Sequence, residues 1–432
     1  MDLKRSMRQI VPVSNSAFHY RMDRVDAELQ RIERTIRQIQ QDWASRKGFY
    51  IIAEPGYPNY GDELIAREWL KYLAAFRPEA PVFLDCTRPG PAATILRGIH
   101  PNLTVVDTVS RLTFENVYAD GDIERGRVAD IAAFLRNALD DEGRAARYSA
   151  GIEILRNEVS GIHFVGGGYM NGRWTANLAR LEVGAWAAEQ SLPVIATGEG
   201  LMPLEDNAKT YVRGAANGFS KFTVRDEKSK EALDPLQQCD LMPDDCFING
   251  LSGVYSDDDN LPETMVCVQS DFVKDRTALN QHVLNVLESW KVKPTDSIGV
   301  VECNPYVDYP IMQVLMDAGY EPRFYPTSYL LRHGFPAKEG QRWLTTRYHP
   351  HLLAAARGCI GSFVSVDADY YSVKHNAVLR MGSNWTESVL GENPPEPGRG
   401  FDDLSIRTEY ARQIRRSASA LYGEDMQVLL DD

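Results

Sequence analysis

The chain of 432 residues contains no apolar run near the roughly 18 residues needed to span a bilayer as a helix. Its first residues, MDLKRSMRQIVPVSNS, lack the continuous apolar core of a secretion signal, so the expected location is the cytoplasm, free or at the inner face of a membrane. No CxxC pair occurs among Cys86, Cys239, Cys246, Cys267, Cys303 and Cys359, which argues against a disulfide framework or a structural zinc site and for reduced thiols. Positive charge is in deficit: 47 Lys and Arg face 60 Asp and Glu, a net −13. A surface of that sign opposes general binding to nucleic acid or anionic lipid, so an anionic small substrate would need a local basic pocket. Repeats of 20 to 50 residues are missing too, and the only biased stretch is the proline-rich GENPPEPGRG from Gly391.

What is present is periodicity. Met22, Val25, Leu29, Ile32, Ile36, Ile39 and Trp43 recur at alternating steps of three and four, about three heptads of seam on one helix. Such a helix either docks on the protein's own core or joins two copies into a homo-oligomer. From Gly48 onward, apolar runs (GFYIIAE, PVFLDC, LTVVD, HFVGGG, LPVIATGEG, FTVRD) alternate with helical patterns, which predicts parallel strands with crossover helices. A second series follows, with strands at MVCVQ, SIGVVE, PRFYP and CIGSFVSV and helices near residues 276–290, 309–318 and 348–357. The expected organisation is a helical extension over 1–47, a Rossmann-like domain over 48–239, an interdomain connection over 240–262, a second Rossmann-like domain over 263–390, and a linker with a C-terminal helix over 391–432. The fold class is α/β, two doubly wound sheets facing each other.

In open parallel sheets ligands bind where strands end and helices begin, because free N–H groups and the helix dipole attract anions there. Four junctions of the first series fit that position. YPNYGDELIAREWL brings Asn59, Tyr60 and Gly61 to a loop before a helix, with Asp62 and Glu63 at its start; Asp62 could also be a plain helix cap. HFVGGGYMNGRW sets Gly166, Gly167 and Gly168 in a row, leaving backbone N–H groups open, ahead of Arg173 and Trp174. IATGEG places Glu199 between two glycines, where a carboxylate could accept a sugar hydroxyl or act as a base. VRDEKS puts Arg225 at a strand end with Asp226 as the next helix cap.

The second series supplies TTRYHPHLLAAARG and YYSVKH, in which Arg347, His349, His351, Lys374 and His375 gather near helix starts. No carboxylate or third histidine stands at metal-ligand spacing, so anion recognition is the better reading and no metal is expected. The acidic run Asp257, Asp258, Asp259 has no apolar strand before it and reads as solvated loop.

Taken in order, NYGDELI, FVGGGYM, ATGEG, VRDEKS, TTRYHPHLLAAARG and YYSVKH resemble the polysaccharide pyruvyl transferase family over roughly residues 48 to 380. Members resemble GT-B type glycosyltransferases in having two Rossmann-like halves, and they move pyruvate from phosphoenolpyruvate onto two sugar hydroxyls as a ketal, in polysaccharide or exopolysaccharide biosynthesis. The resemblance implies that Arg225, Arg347 and His349 hold the donor and take part in transfer, with Lys374 near the same pocket. Glu199 stands where a glutamine is common in the family. The implied partners are phosphoenolpyruvate and a sugar or lipid-linked oligosaccharide acceptor, with no further cofactor.

A doubly anionic donor fits arginine pairs, which bind carboxylate and phosphate bidentately. His349 suits the acid that protonates the donor, since an imidazole gives and takes protons near neutral pH. Asp62 or Glu199 suits the base for the sugar hydroxyl. The alternatives are a GT-B type glycosyltransferase using a nucleotide sugar, and a non-catalytic carbohydrate-binding protein.

Overall fold

The computed structural model describes residues 22–32, 34, 47–119, 127–367 and 370–423. Residues 22–32 are helical and leave Met22, Val25, Leu29 and Ile32 between 43% and 52% exposed. Ile36, Ile39 and Trp43 of the expected seam lie outside the described residues.

Seven parallel strands follow: β1 (Gly48–Ile52), β2 (Val82–Asp85), β3 (Leu103–Val106), β4 (Val159–Phe164), β5 (Val194–Glu199), β6 (Lys221–Val224) and β7 (Cys239–Leu241), in the order β3-β2-β1-β4-β5-β6-β7. A second parallel sheet is built from β8 (Thr264–Cys267), β9 (Ile298–Val301), β10 (Arg323–Tyr325), β11 (Arg342–Thr345), β12 (Ile360–Phe363) and β13 (Thr386–Glu387), ordered β10-β9-β8-β11-β12-β13. Central strands such as β1 and β8 are buried along their whole length, which is why they read as unbroken apolar runs and not as alternation. Each sheet reverses direction once, between β1 and β4 and between β8 and β11, and the crevice outside such a switch point is where doubly wound folds bind ligands.

Five helices matter for the site. α1 (Tyr60–Phe76) starts after β1 and buries Leu64, Ile65, Trp69, Leu70 and Leu73. Its cap is Asn59, whose side chain accepts from the Gly61 N–H at 3.3 Å, so Asp62 lies inside the first turn and the alternative reading of it as a plain cap does not hold. α2 (Glu227–Leu233) is capped by Asp226, which accepts from the Ser229 N–H at 2.8 Å. α3 (Tyr348–Ala356) follows β11, and α4 (Tyr371–Arg380) follows β12. α5 (Ile406–Tyr422) returns from the second half to pack on β4, β5 and β6 of the first sheet.

Three strands were not anticipated: β7, β11 and β13. The stretch over 240–262 is also more than a connection. It contributes Cys246, Phe247, Ile248, Leu251 and Val254 to a single apolar core that holds Trp69 of the first half and Trp343 of the second. The proline-rich stretch from Gly391 pairs at Gly361 with Gly398 and at Asn384 with Arg399, beside the edge of the second sheet. All six cysteines are free and buried. Among the described residues no helix is long and apolar enough to cross a membrane.

Candidate active site

A cavity of about 460 Å³ opens between the carboxyl ends of the two sheets. Asn59, Gly61, Asp62, Gly168 and Arg225 line it from the first half, and Arg347, His349 and Lys374 from the second. Loops that are distant in sequence thus meet in one place.

Arg225 directly follows β6, and because Asp226 is consumed in capping α2, the arginine is left at the strand end pointing into the cleft. Its Nη1 donates to Asp244 Oδ2 at 2.7 Å, and its guanidinium lies 4.5 Å from the centre of the Tyr348 ring. Both charges are buried, Arg225 at 3% exposure and Asp244 at none, so this is a pair within the protein and not a surface ion pair. The other oxygen of Asp244 accepts from the Cys246 N–H at 2.9 Å and faces His349 Nε2 at 3.7 Å. Burial alone would raise this carboxyl; the facing His349 and the Arg225 guanidinium instead hold it well below the usual carboxylate range.

His349 sits in the first turn of α3, and its ring lies flat against Gly61 of α1. A β-carbon at Gly61 would stand 1.9 Å from His349 Nδ1, which is why the position takes a bare backbone. One residue on, Asp62 Oδ2 accepts from Asn59 Nδ2 at 2.8 Å. Burial pushes the Asp62 carboxyl up to about 6, against the pull of His349, Arg225 and Lys374.

Arg347 is the residue before α3. Its Nε and Nη2 donate to Asp308 Oδ1 at 2.9 and 2.5 Å, and Nη2 also reaches Asp271 Oδ1 at 3.1 Å. Lys374 on α4 donates to the Tyr370 hydroxyl at 2.6 Å, with its ammonium position 3.9 Å from that ring's centre. Burial first, and then the neighbouring Arg225, hold the Lys374 amine well below the ordinary lysine range. Gly168 lets these cations converge: a β-carbon there would lie 3.2 Å from Arg225 Nη2 and 3.3 Å from Lys374 Nζ.

Five residues singled out from the sequence stand elsewhere. Glu199 is the last residue of β5 and fully buried, neither of its carboxylate oxygens has a hydrogen-bond partner among the described residues, and it does not line the cavity. Burial, reinforced by Asp245, raises its carboxyl well above the usual range, so it is a neutral acid and not an accessible base. Gly166 turns its N–H inward to Asp245 Oδ2 at 3.1 Å, and a β-carbon there would strike the Thr197 carbonyl at 2.5 Å. Gly167 pairs with Glu199, so both glycines serve the close approach of β4 to β5. Arg173 is ion-paired with Asp367 outside the cavity and stacks 4.6 Å from the Tyr370 ring. His375 is buried against His351, with the two Nδ1 atoms 3.0 Å apart, and burial lowers His375 to about 3 and His351 well below the ordinary range. That pair is buried in the core and does not line the cavity.

Sequence reasoning missed Asp244, Asp308 and Asp271, the carboxylates that clamp the two arginines. It also missed Glu54, which lines the cavity, accepts from Thr87 Oγ1 at 2.6 Å and pairs with the fully buried Arg180. Among the described residues no three His, Cys, Asp or Glu side chains converge as metal ligands.

The chain as a whole is similar to several solved structures. A UDP-GlcNAc 2-epimerase from Neisseria meningitidis, bound to UDP-GlcNAc, aligns over 89% of this chain and 99% of its own, at 11% identity and a TM-score of 0.43. A UDP-N-acetylglucosamine 2-epimerase aligns over 87% and 90%, at 11% identity and a TM-score of 0.47. UGT71G1 from Medicago truncatula, complexed with UDP-glucose, aligns over 89% and 93%, at 10% identity and a TM-score of 0.42. No curated protein matches the chain. The family model described as polysaccharide pyruvyl transferase matches residues 59–325.

Proposed function

Because the chain belongs to the polysaccharide pyruvyl transferase family, we propose that it moves pyruvate from phosphoenolpyruvate onto two hydroxyls of a sugar, forming a cyclic ketal and releasing phosphate. The observation that carries this reading is the meeting of Arg225, Arg347, His349 and Lys374 in one cavity of an otherwise acidic protein, with Asp62 beside them.

Arg225 and Arg347 are aimed before any ligand arrives, each clamped by carboxylates of its own half, and such preorganised guanidiniums bind carboxylate and phosphate without reorganising. Burial and the neighbouring Arg225 suppress the proton affinity of Lys374, and a dianionic ligand beside it would raise that affinity again. His349 gives a proton to the methylene carbon of phosphoenolpyruvate, and positive charge develops on the central carbon. A sugar hydroxyl adds there while Asp62 takes its proton. Phosphate then leaves with the C–O bond electrons, and the second hydroxyl adds to the same carbon as its proton passes to the deprotonated His349, closing the ketal and restoring the acid. Asp62, whose carboxyl titrates at about 6, is ionised and able to act as base at neutral pH.

Incubation with phosphoenolpyruvate and a panel of glycans, following inorganic phosphate and a pyruvate-sized mass gain on the sugar, tests the reading. Thermal stabilisation by UDP-sugars but not by phosphoenolpyruvate would overturn it in favour of a nucleotide-sugar enzyme. The helix from Met22 serves self-association in this reading, because its exposed seam at heptad spacing suits a second copy of the chain. Leu29→Glu should then lower the mass measured by sedimentation, and an unchanged mass refutes that role.

A further inference from the structure

A second cavity, of about 210 Å³, lies where the two halves meet. Its walls are α1, the segment 253–257 and the helix Thr327–His333, and it shares no lining residue with the active cavity. From α1 it takes Tyr60, Leu64, Arg67, Glu68 and Lys71, which fall on one side of that helix. These walls are fastened to one another. Arg67 Nη1 donates to the Leu331 carbonyl at 2.5 Å, which ties α1 to the helix of the second half. The Phe335 N–H donates to the Val254 carbonyl at 2.8 Å, and the Ser256 N–H to the Phe335 carbonyl at 2.9 Å.

Arg67, Lys71, Arg332 and His333 line this cavity against two carboxylates, Glu68 and Asp257. Glu68 is fully buried and occupied within the protein, accepting from Lys71 Nζ at 2.6 Å and from Asn249 Nδ2 at 3.0 Å. With the Glu68–Lys71 pair set aside, two guanidiniums and an imidazole remain beside one exposed carboxylate, in a chain whose net charge is −13. Arg67 Nε is buried and has no hydrogen-bond partner among the described residues, an unmet donor that costs free energy until an acceptor arrives. Guanidiniums bind phosphate bidentately, and a space of this size admits only a small ligand.

We propose that this cavity is an effector site for a small phosphate-bearing anion, and that filling it tightens donor binding in the active cavity. Arg67 belongs to the first half and Arg332 to the second, so an anion held by both draws the halves together. Tyr60 carries the effect. It is the first residue of α1 and lines the effector cavity, while Gly61 and Asp62, the next two, line the active one. Its N–H donates to the Cys303 carbonyl at 2.8 Å, and the Cys303 N–H to Asp308 Oδ2 at 3.0 Å, on the carboxylate that clamps Arg347. Naming phosphoenolpyruvate as the donor rests on the pyruvyl-transfer reading; the effector site does not.

Isothermal titration of the intact chain with inorganic phosphate and, separately, with glycerol 3-phosphate tests the site and shows whether the bare anion or its ester is preferred. Arg332→Gln and Arg67→Gln should each weaken binding of the preferred probe roughly tenfold or more. Arg332 is exposed, so its variant leaves the fold undisturbed. At saturating probe the wild type should bind phosphoenolpyruvate roughly fivefold or more tightly, and the Arg332 variant should lose that gain. Failure of both probes to bind overturns the site, as does binding that neither variant alters. An unchanged or weaker affinity for phosphoenolpyruvate in the presence of probe overturns the coupling, a weaker one because it marks competition at the active cavity. Probe binding that the variants weaken, in a chain that phosphoenolpyruvate does not stabilise, keeps the site and sinks the donor assignment instead.

Discussion

The two halves of the molecule share a strand plan and differ in the charges they leave over. In each sheet the first strand lies inside, the next two build one side, and the chain then crosses to build the other. Each half also plants one buried arginine after a strand and neutralises it internally, Arg225 by Asp244 in the first and Arg347 by Asp308 and Asp271 in the second. Beside those arginines, the first half brings the Asp62 carboxyl to the cavity and the second brings His349 and Lys374. The shared topology therefore fixes where a crevice forms, while the loops decide which side chains each half brings to it.

The most damaging way to break that division is Asp244→Asn, which strands Arg225 in the interior and removes the charge facing His349. A loss of about 3–5 kcal/mol is expected in denaturant unfolding at pH 7. Since the folded-state carboxyl titrates below its ordinary value near 3.9, the contribution is complete above that pH and fades as pH falls further. The gap between wild type and variant should accordingly close in acid; a gap that is constant with pH would mean that charge is not its origin. His349→Ala should lower phosphate release by roughly 10²-fold or more with the fold intact, and near-normal turnover would remove the acid from the second half.

Gly61→Ala probes the contact between halves. Its β-carbon displaces the His349 ring at a cost of about 1–3 kcal/mol, expected in turnover more than in melting temperature. An active variant with a normal KM would show that the ring need not lie where it does. For Asp62, kcat/KM should rise with pH through about 6 as the carboxyl ionises, and this limb should vanish in Asp62→Asn. Stability moves the opposite way: the raised carboxyl favours the folded state at low pH, and that advantage is lost between about 3.9 and 6. The smallest effect belongs to Glu199→Gln, which swaps one neutral buried group for another and should change turnover less than about twofold and stability by less than about 1.5 kcal/mol. A large loss of activity there would return the base to Glu199.

Much of the architecture was legible because buried parallel strands write themselves as apolar runs. β11 escaped because it is four residues long and opens with Arg342, yet it is the strand that delivers Arg347 and His349 to the cleft. The expectation for Glu199 failed on strand length: β5 runs through Glu199 and does not end at Ala196, so a residue flanked by glycines looked like a loop when it belongs to the sheet. Of three consecutive glycines, nothing local marks Gly168 as the one beside the cations. Asp244 carries no local signal either, since its partners are 19 residues back at Arg225 and far ahead at His349, and only the closed structure puts them side by side.

The path of α5 restricts how such proteins can be recombined. Leu421 lies so close to Gly161 of β4 that a β-carbon there would be 2.2 Å away, and the Tyr422 hydroxyl meets His163 Nδ1 at 2.7 Å. A chimera that joins one relative's amino-terminal sheet to another's carboxyl-terminal sheet therefore brings a foreign cover onto the first sheet. Viable crossovers must carry the last helix along with the strands it covers, so natural shuffling of the two halves would leave its trace as paired changes at these two ends of the gene.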